Sequence, residues 1–171
     1  MRTFLTIYFI GVCTMLFSQT SELKDEIAGI NQEMEDAFAA GDMGKLASYY
    51  HDDAIMLAPQ SEPVRGRSEI DAYWERINNP ISWDLEVIAV SPNEKDIYDH
   101  AYYAALEKKP PSWRQAGFIT ETDARGLVYQ LGRSSLTVRR NGEEQTSVVD
   151  FILVWKYTPE GYRILVDTYS W

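Results

Sequence analysis

The apolar positions of this chain change period part-way along, from every third or fourth residue to every second. Leu23, Ile27, Ile30, Met34 and Phe38 recur at helical spacing and predict a first helix over Ser21–Ala40, with Lys24, Asp25, Gln32, Glu35 and Asp36 on its other faces. Gly41 ends that helix, and Asp42 is placed to cap a second one that carries Leu46, Tyr49 and Tyr50 and finishes at His51-Asp52-Asp53. Ala54–Ala58 reads as a short buried strand closed by Pro59. After Pro63 and Gly66, Ser68 with Asp71 three residues on predicts the start of a third helix. Its stripe is Ile70, Tyr73, Trp74 and Ile77, and Asn78-Asn79-Pro80 terminates it.

Beyond Pro80 alternation takes over. Trp83–Val90 predicts a strand with Trp83, Leu85, Val87 and Ala89 on one face. Pro92–Phe118 has the weakest pattern, although Ile97, Ala101, Ala104 and Ala105 predict a helix over Lys95–Glu107. The last third reads as a β-meander. It has a strand over Gly126–Val138, a tight turn at Asn141-Gly142, a strand over Glu144–Tyr157, a turn at Pro159-Glu160-Gly161 and a final strand over Tyr162–Trp171.

The N-terminus follows a different logic. Arg2 precedes an apolar run from Phe4 to Phe17, and Ser18-Gln19-Thr20 gives a small, polar exit, which is the pattern of a cleaved secretory signal over residues 1–19. That run is short for a membrane span. The expectation is a mature domain over 20–171, secreted or periplasmic, with no stable membrane association after cleavage. Cys13, the only cysteine, lies within the run; Ile10-Gly11-Val12 before it is a poor lipidation context, and the mature chain would hold no thiol.

At 171 residues, 45% hydrophobic and 13% aromatic, the chain can build one real core. A formal charge of −10 argues against nucleic acid as a partner, because phosphate recognition needs clustered Lys and Arg. No phosphate-cradling glycine loop, dinucleotide fingerprint or Gly-x-Ser-x-Gly turn occurs, and no cofactor is implied. His51-Asp52-Asp53 and Asp99-His100 lack a second histidine at ligand spacing, so no metal site is expected.

The order of these elements, with the stretches AFAAGDMGKLASYYHDDAIMLAP and GRSEIDAYW, resembles the SnoaL-like branch of the nuclear transport factor 2-like superfamily. The resemblance implies an α+β, cone-shaped fold in which three N-terminal helices pack on a curved antiparallel sheet and leave an open-ended pocket. Relatives include ketosteroid isomerases, cyclases, dehydratases, association modules and ligand binders, so the fold alone does not fix a reaction. Matching the isomerase pattern through GD and YHDDA puts its base at Ala58 and its tyrosine at Met34; neither can move a proton, and a standard ketosteroid isomerase is not expected.

Two carboxylates interrupt apolar strands and are the catalytic candidates. Asp150 shares a face with Val148, Ile152 and Val154, where it either titrates abnormally or pairs with Arg133 or Arg139. Asp167 shares a face with Arg163, Leu165, Tyr169 and Trp171, where it either orients a ligand or pairs with an arginine. The expected pocket set is Met34, Tyr49, Trp74, Tyr129, Arg133, Asp167 and Tyr169. The leading expectation is a domain that binds a small apolar or aromatic molecule. An acid/base isomerase, cyclase or dehydratase is the alternative, and a homodimeric assembly module the third.

Overall fold

A computed structural model describes the backbone of residues 4–58, 61–93 and 126–170, and the side chains of 22–58, 61–93 and 126–169. The expected helix over Lys95–Glu107, together with Asp99-His100 and Trp171, lies outside the described residues. The elements run α1 (Phe4–Ala39), α2 (Met43–Ala47), β1 (Tyr50–Leu57), β2 (Val64–Arg65), α3 (Gly66–Glu75), β3 (Pro80–Ser91), β4 (Leu127–Arg140), β5 (Glu143–Thr158) and β6 (Gly161–Ser170). The strands form one open sheet in the order β2-β1-β6-β5-β4-β3, antiparallel except where β1 runs parallel to β6. The α+β architecture is the expected one.

α1 carries the stripe read from the sequence, with Ile27, Met34 and Phe38 buried and Leu23 and Ile30 packed against them. It does not begin at Ser21 but continues back to Phe4, a stretch with no proline to stop it. The helix lies along β3, the last strand of the sheet, and Glu35 Oε1 accepts from the Leu85 N–H at 2.7 Å. An amide on the edge of the sheet that has no other partner among the described residues is thereby satisfied. Burial is the main reason the Glu35 carboxyl is held above the usual range.

Asp42 caps α2, its Oδ1 accepting from Lys45 N at 2.9 Å, as its position predicts. The helix is shorter than expected. It ends at Ala47, and Ile164 N donates to Tyr49 O at 2.8 Å, so β6 captures the chain there and Tyr50 opens a strand instead of continuing the helix. His51-Asp52-Asp53 therefore belongs to β1, not to a helix end. α3 begins at Gly66, before Ser68, and its first turn is tied by Glu69 Oε2 accepting from Arg65 N at 2.8 Å rather than by a Ser68 cap.

The β4–β5 hairpin turns at Asn141 and Gly142, both with positive φ (54° and 86°), which is the backbone of a tight two-residue hairpin turn. Its register puts Gly132 opposite Phe151. A Cβ at Gly132 would collide with the Phe151 ring and approach Glu86 O to 2.5 Å, so the strand tolerates only glycine at this crossing. The inner face of the sheet, covered by α1 and α3, presents Val128, Phe151, Leu153, Trp155 and Ile164 as core, with Trp155 fully buried and its Nε1 donating to Gln130 Oε1 at 2.9 Å.

Candidate functional site

Which residues face the interior is decided by two one-residue irregularities. On β3, Val87 pairs with Gly132 but Ala89 with Leu131, so Ile88 is extra and the inward face passes from Trp83, Leu85 and Val87 to Val90 instead of Ala89. On β6, Trp155 pairs with Ile164 but Val154 with Val166, leaving Leu165 extra. Without that residue Asp167 would point outward. With it, Asp167 lies opposite the inward Leu153, and its face companions are Ile164 and Tyr169, not Arg163 and Leu165.

The inner face and the helices enclose a cavity of about 240 Å³. Met34 from α1, Tyr73 and Trp74 from α3, Ile77 just after α3, and Trp83 and Leu85 from β3 form one side; Leu136, Phe151, Leu153 and Ile164 form the sheet side. The aromatic rings brace one another. Trp74 lies 5.3 Å from Trp83 and 5.5 Å, edge-on, from Tyr73, while Phe38 backs Trp83 at 5.8 Å. Trp83 Nε1 donates to Ser134 Oγ at 2.7 Å, which fixes the indole as a wall.

At one end of this apolar chamber sits Asp167, 8% exposed, its Oδ2 accepting from the Tyr50 hydroxyl at 2.8 Å. Burial raises the Asp167 pKa to about 6, and the Tyr50 hydrogen bond offsets only part of that. The Tyr50 phenol is itself pushed well above its ordinary range, by burial first and then by the neighbouring carboxylate, so it stays a donor. The Tyr73 and Tyr169 hydroxyls are hydrogen-bonded at 3.1 Å, either one able to donate, and burial raises Tyr169 in the same way. The Trp74 Nε1–H lies near the Tyr50 oxygen yet makes no hydrogen bond of full geometry. The inner end thus offers one carboxyl that changes charge near pH 6 and several donors around it.

Of the residues expected at the site, Met34, Trp74, Asp167 and Tyr169 are brought together here. The others are placed elsewhere. Tyr49 is buried behind the pocket, donating to Glu33 Oε2 at 2.6 Å, and burial raises it to about 12. Tyr129 and Arg133 lie on the outer face of β4, and Arg133 binds Asp150 directly across the sheet at 2.8 Å with both side chains about half exposed. An ion pair so exposed is screened by solvent and contributes little to stability, and neither partner lines the cavity described above. Asp150 therefore takes the pairing expected as its alternative. Tyr50, Tyr73, Trp83, Ser134 and Arg140 line the cavity without having been singled out as site residues. Among the described residues no group of acids, histidines and cysteines is placed to hold a metal ion.

Residues 31–156 match the model of the SnoaL-like domain. The chain belongs to the SnoaL-like domain family. No curated protein is significantly similar to it in sequence. Among solved structures, this SnoaL-like chain is similar to a nuclear transport factor 2-like protein with a cystatin-like fold from Novosphingobium aromaticivorans, at 13% identity and a TM-score of 0.59, covering 91% of this chain and 87% of that one. A nuclear transport factor 2-like protein of unknown function from Shewanella oneidensis follows the same course at 12% identity and TM-score 0.56, covering 86% and 98%. A ketosteroid isomerase-like protein from Erwinia carotovora atroseptica does so at 11% identity and TM-score 0.51, covering 79% and 85%. Likenesses at this level of identity establish the shared fold. In the cavity of the SnoaL-like chain, Met34 contributes an apolar side chain to the wall.

Proposed function

We propose that this SnoaL-like domain binds a small apolar or aromatic molecule in its cavity, with a hydroxyl or carbonyl oxygen of the ligand held by Asp167 and Tyr50. One observation carries the reading: a single buried carboxyl, hydrogen-bonded by Tyr50, closes one end of an otherwise aromatic and aliphatic chamber. The secretory pattern around Arg2 and Phe4–Phe17 adds that the domain works outside the cytoplasm, as a secreted or periplasmic protein.

Titration of the mature protein with 2-naphthol, followed through the fluorescence of the wall tryptophans Trp74 and Trp83, tests the reading. Saturable binding is expected, with Val149→Trp abolishing it by filling the chamber. Asp167→Ala is expected to weaken it about tenfold, the equivalent of about 1.4 kcal/mol for a lost hydrogen bond. Absence of binding, or binding unchanged in the filled variant, would overturn it.

The proton that Asp167 holds near pH 6 supports a second reading, an acid/base isomerase, cyclase or dehydratase acting on a bound carbonyl compound. That reading requires a chemically altered product to accumulate with the wild-type protein and not with Asp167→Asn. A ligand recovered unchanged supports binding alone.

A further inference from the structure

The far end of the cavity has a different character. Arg140, on the inner face at the end of β4, lines the chamber together with Ser147, and it is the only basic residue to do so among the described residues. It also lines a second hollow between the end of α3 and the β4–β5 hairpin, with Arg76, Asn78, Asn79 and Asn141, and the two hollows share Ile77 and Arg140 as a common wall. Arg76 lies over the Tyr73 ring at 5.5 Å, and Arg139 is committed to Glu144 at 3.0 Å, with Glu143 opposite Arg140 in the hairpin register. On a chain of net charge −10, a cavity rim that sets Arg140 and Arg76 beside three asparagine amides, with Arg139 paired to Glu144 and Glu143 opposite Arg140, keeps a small local excess of positive charge.

The lining also runs far along one strand. From Leu153, beside Asp167, to Ser147, near the rim, is six residue steps of one strand, about 20 Å. We infer that the ligand is an extended amphipathic organic anion: an apolar body along the aromatic wall, with a carboxylate or comparable anionic group paired to Arg140 at the rim. The inference rests on the binding reading and specifies the ligand class. Arg140 is suited to it because a guanidinium fork binds a carboxylate through two parallel hydrogen bonds and its apolar stem can line the chamber.

Dodecanoate and dodecan-1-ol, which differ only in the charged end, separate this inference from the reading beneath it. Calorimetric titration of the mature protein at low ionic strength should show dodecanoate binding about tenfold tighter than the alcohol. Arg140→Gln should bring the two to parity. Equal affinities in the wild-type protein, or a preference for the acid that survives Arg140→Gln, would overturn the inference. If the alcohol and 2-naphthol bind while the acid gains nothing, the binding reading stands without this extension; if none of the three binds, both fall.

Discussion

Replacing Trp155 by alanine should remove about 3–5 kcal/mol from the stability of this domain, the range for deleting a fully buried indole. The side chain is 0% exposed and sits where β4, β5 and β6 meet, opposite Val128 on one strand and Ile164 on the other. Its Nε1–H is the partner of Gln130 Oε1, and Gln130 Nε2 already lacks one among the described residues, so the truncation leaves a buried amide with neither end satisfied there. With typical domains stable by only about 5–15 kcal/mol, the variant should be largely unfolded under mild denaturant. Urea unfolding measures it; a loss below about 1 kcal/mol would mean that the sheet interior is not packed around Trp155.

Asp167 should make the protein less stable as the pH rises, which is unusual for a carboxylate. The folded state holds the Asp167 proton up to about pH 6, whereas the unfolded chain releases it near the ordinary value of 3.8. The folded state therefore binds more protons between those values. The stability contributed is fully present below about pH 4 and is lost as the pH passes through 6. The difference of about two units corresponds to roughly 3 kcal/mol by pH 7.5. Asp167→Asn should abolish this share, because the amide is neutral throughout and its oxygen can still accept from Tyr50. The variant should match the wild type near pH 4 and exceed its stability by up to about 3 kcal/mol at pH 7.5. Glu35 titrates in the same direction but is present in both proteins, so it cancels in the comparison. Parallel stability curves for the two proteins would show that Asp167 is not buried as described.

Helical periodicity carried much of this fold openly. Ile27, Met34 and Phe38 fall on one stripe because the 3.6-residue period runs uninterrupted, and Asp42 caps because it follows the break at Gly41 and its carboxylate reaches the Lys45 N–H. More could have been taken from the Asn141-Gly142 turn. Counting back along both strands from a two-residue turn sets Arg133 opposite Asp150 and puts Tyr129 on that same outer face, so the ion pair was already implied by the turn. The inward placement of Asp167 was not. It depends on the extra residue at Leu165, and a bulge that needs no glycine leaves no mark in side-chain alternation. The same holds for Ile88, which exchanges Ala89 for Val90. Tyr49 and Tyr50 are adjacent aromatics that a helical reading treats alike; only the parallel pairing of Tyr50 with Ile164 turns one of them into the pocket tyrosine.

The central claim is that a titratable carboxyl closes the inner end of a ligand chamber. A carbon-13 NMR titration of the Asp167 carboxyl, with and without 2-naphthol, tests it most directly. The account predicts a midpoint near 6 in the free protein that shifts when 2-naphthol fills the cavity and its hydroxyl meets the carboxyl. A midpoint near 4 that the ligand does not move would contradict it.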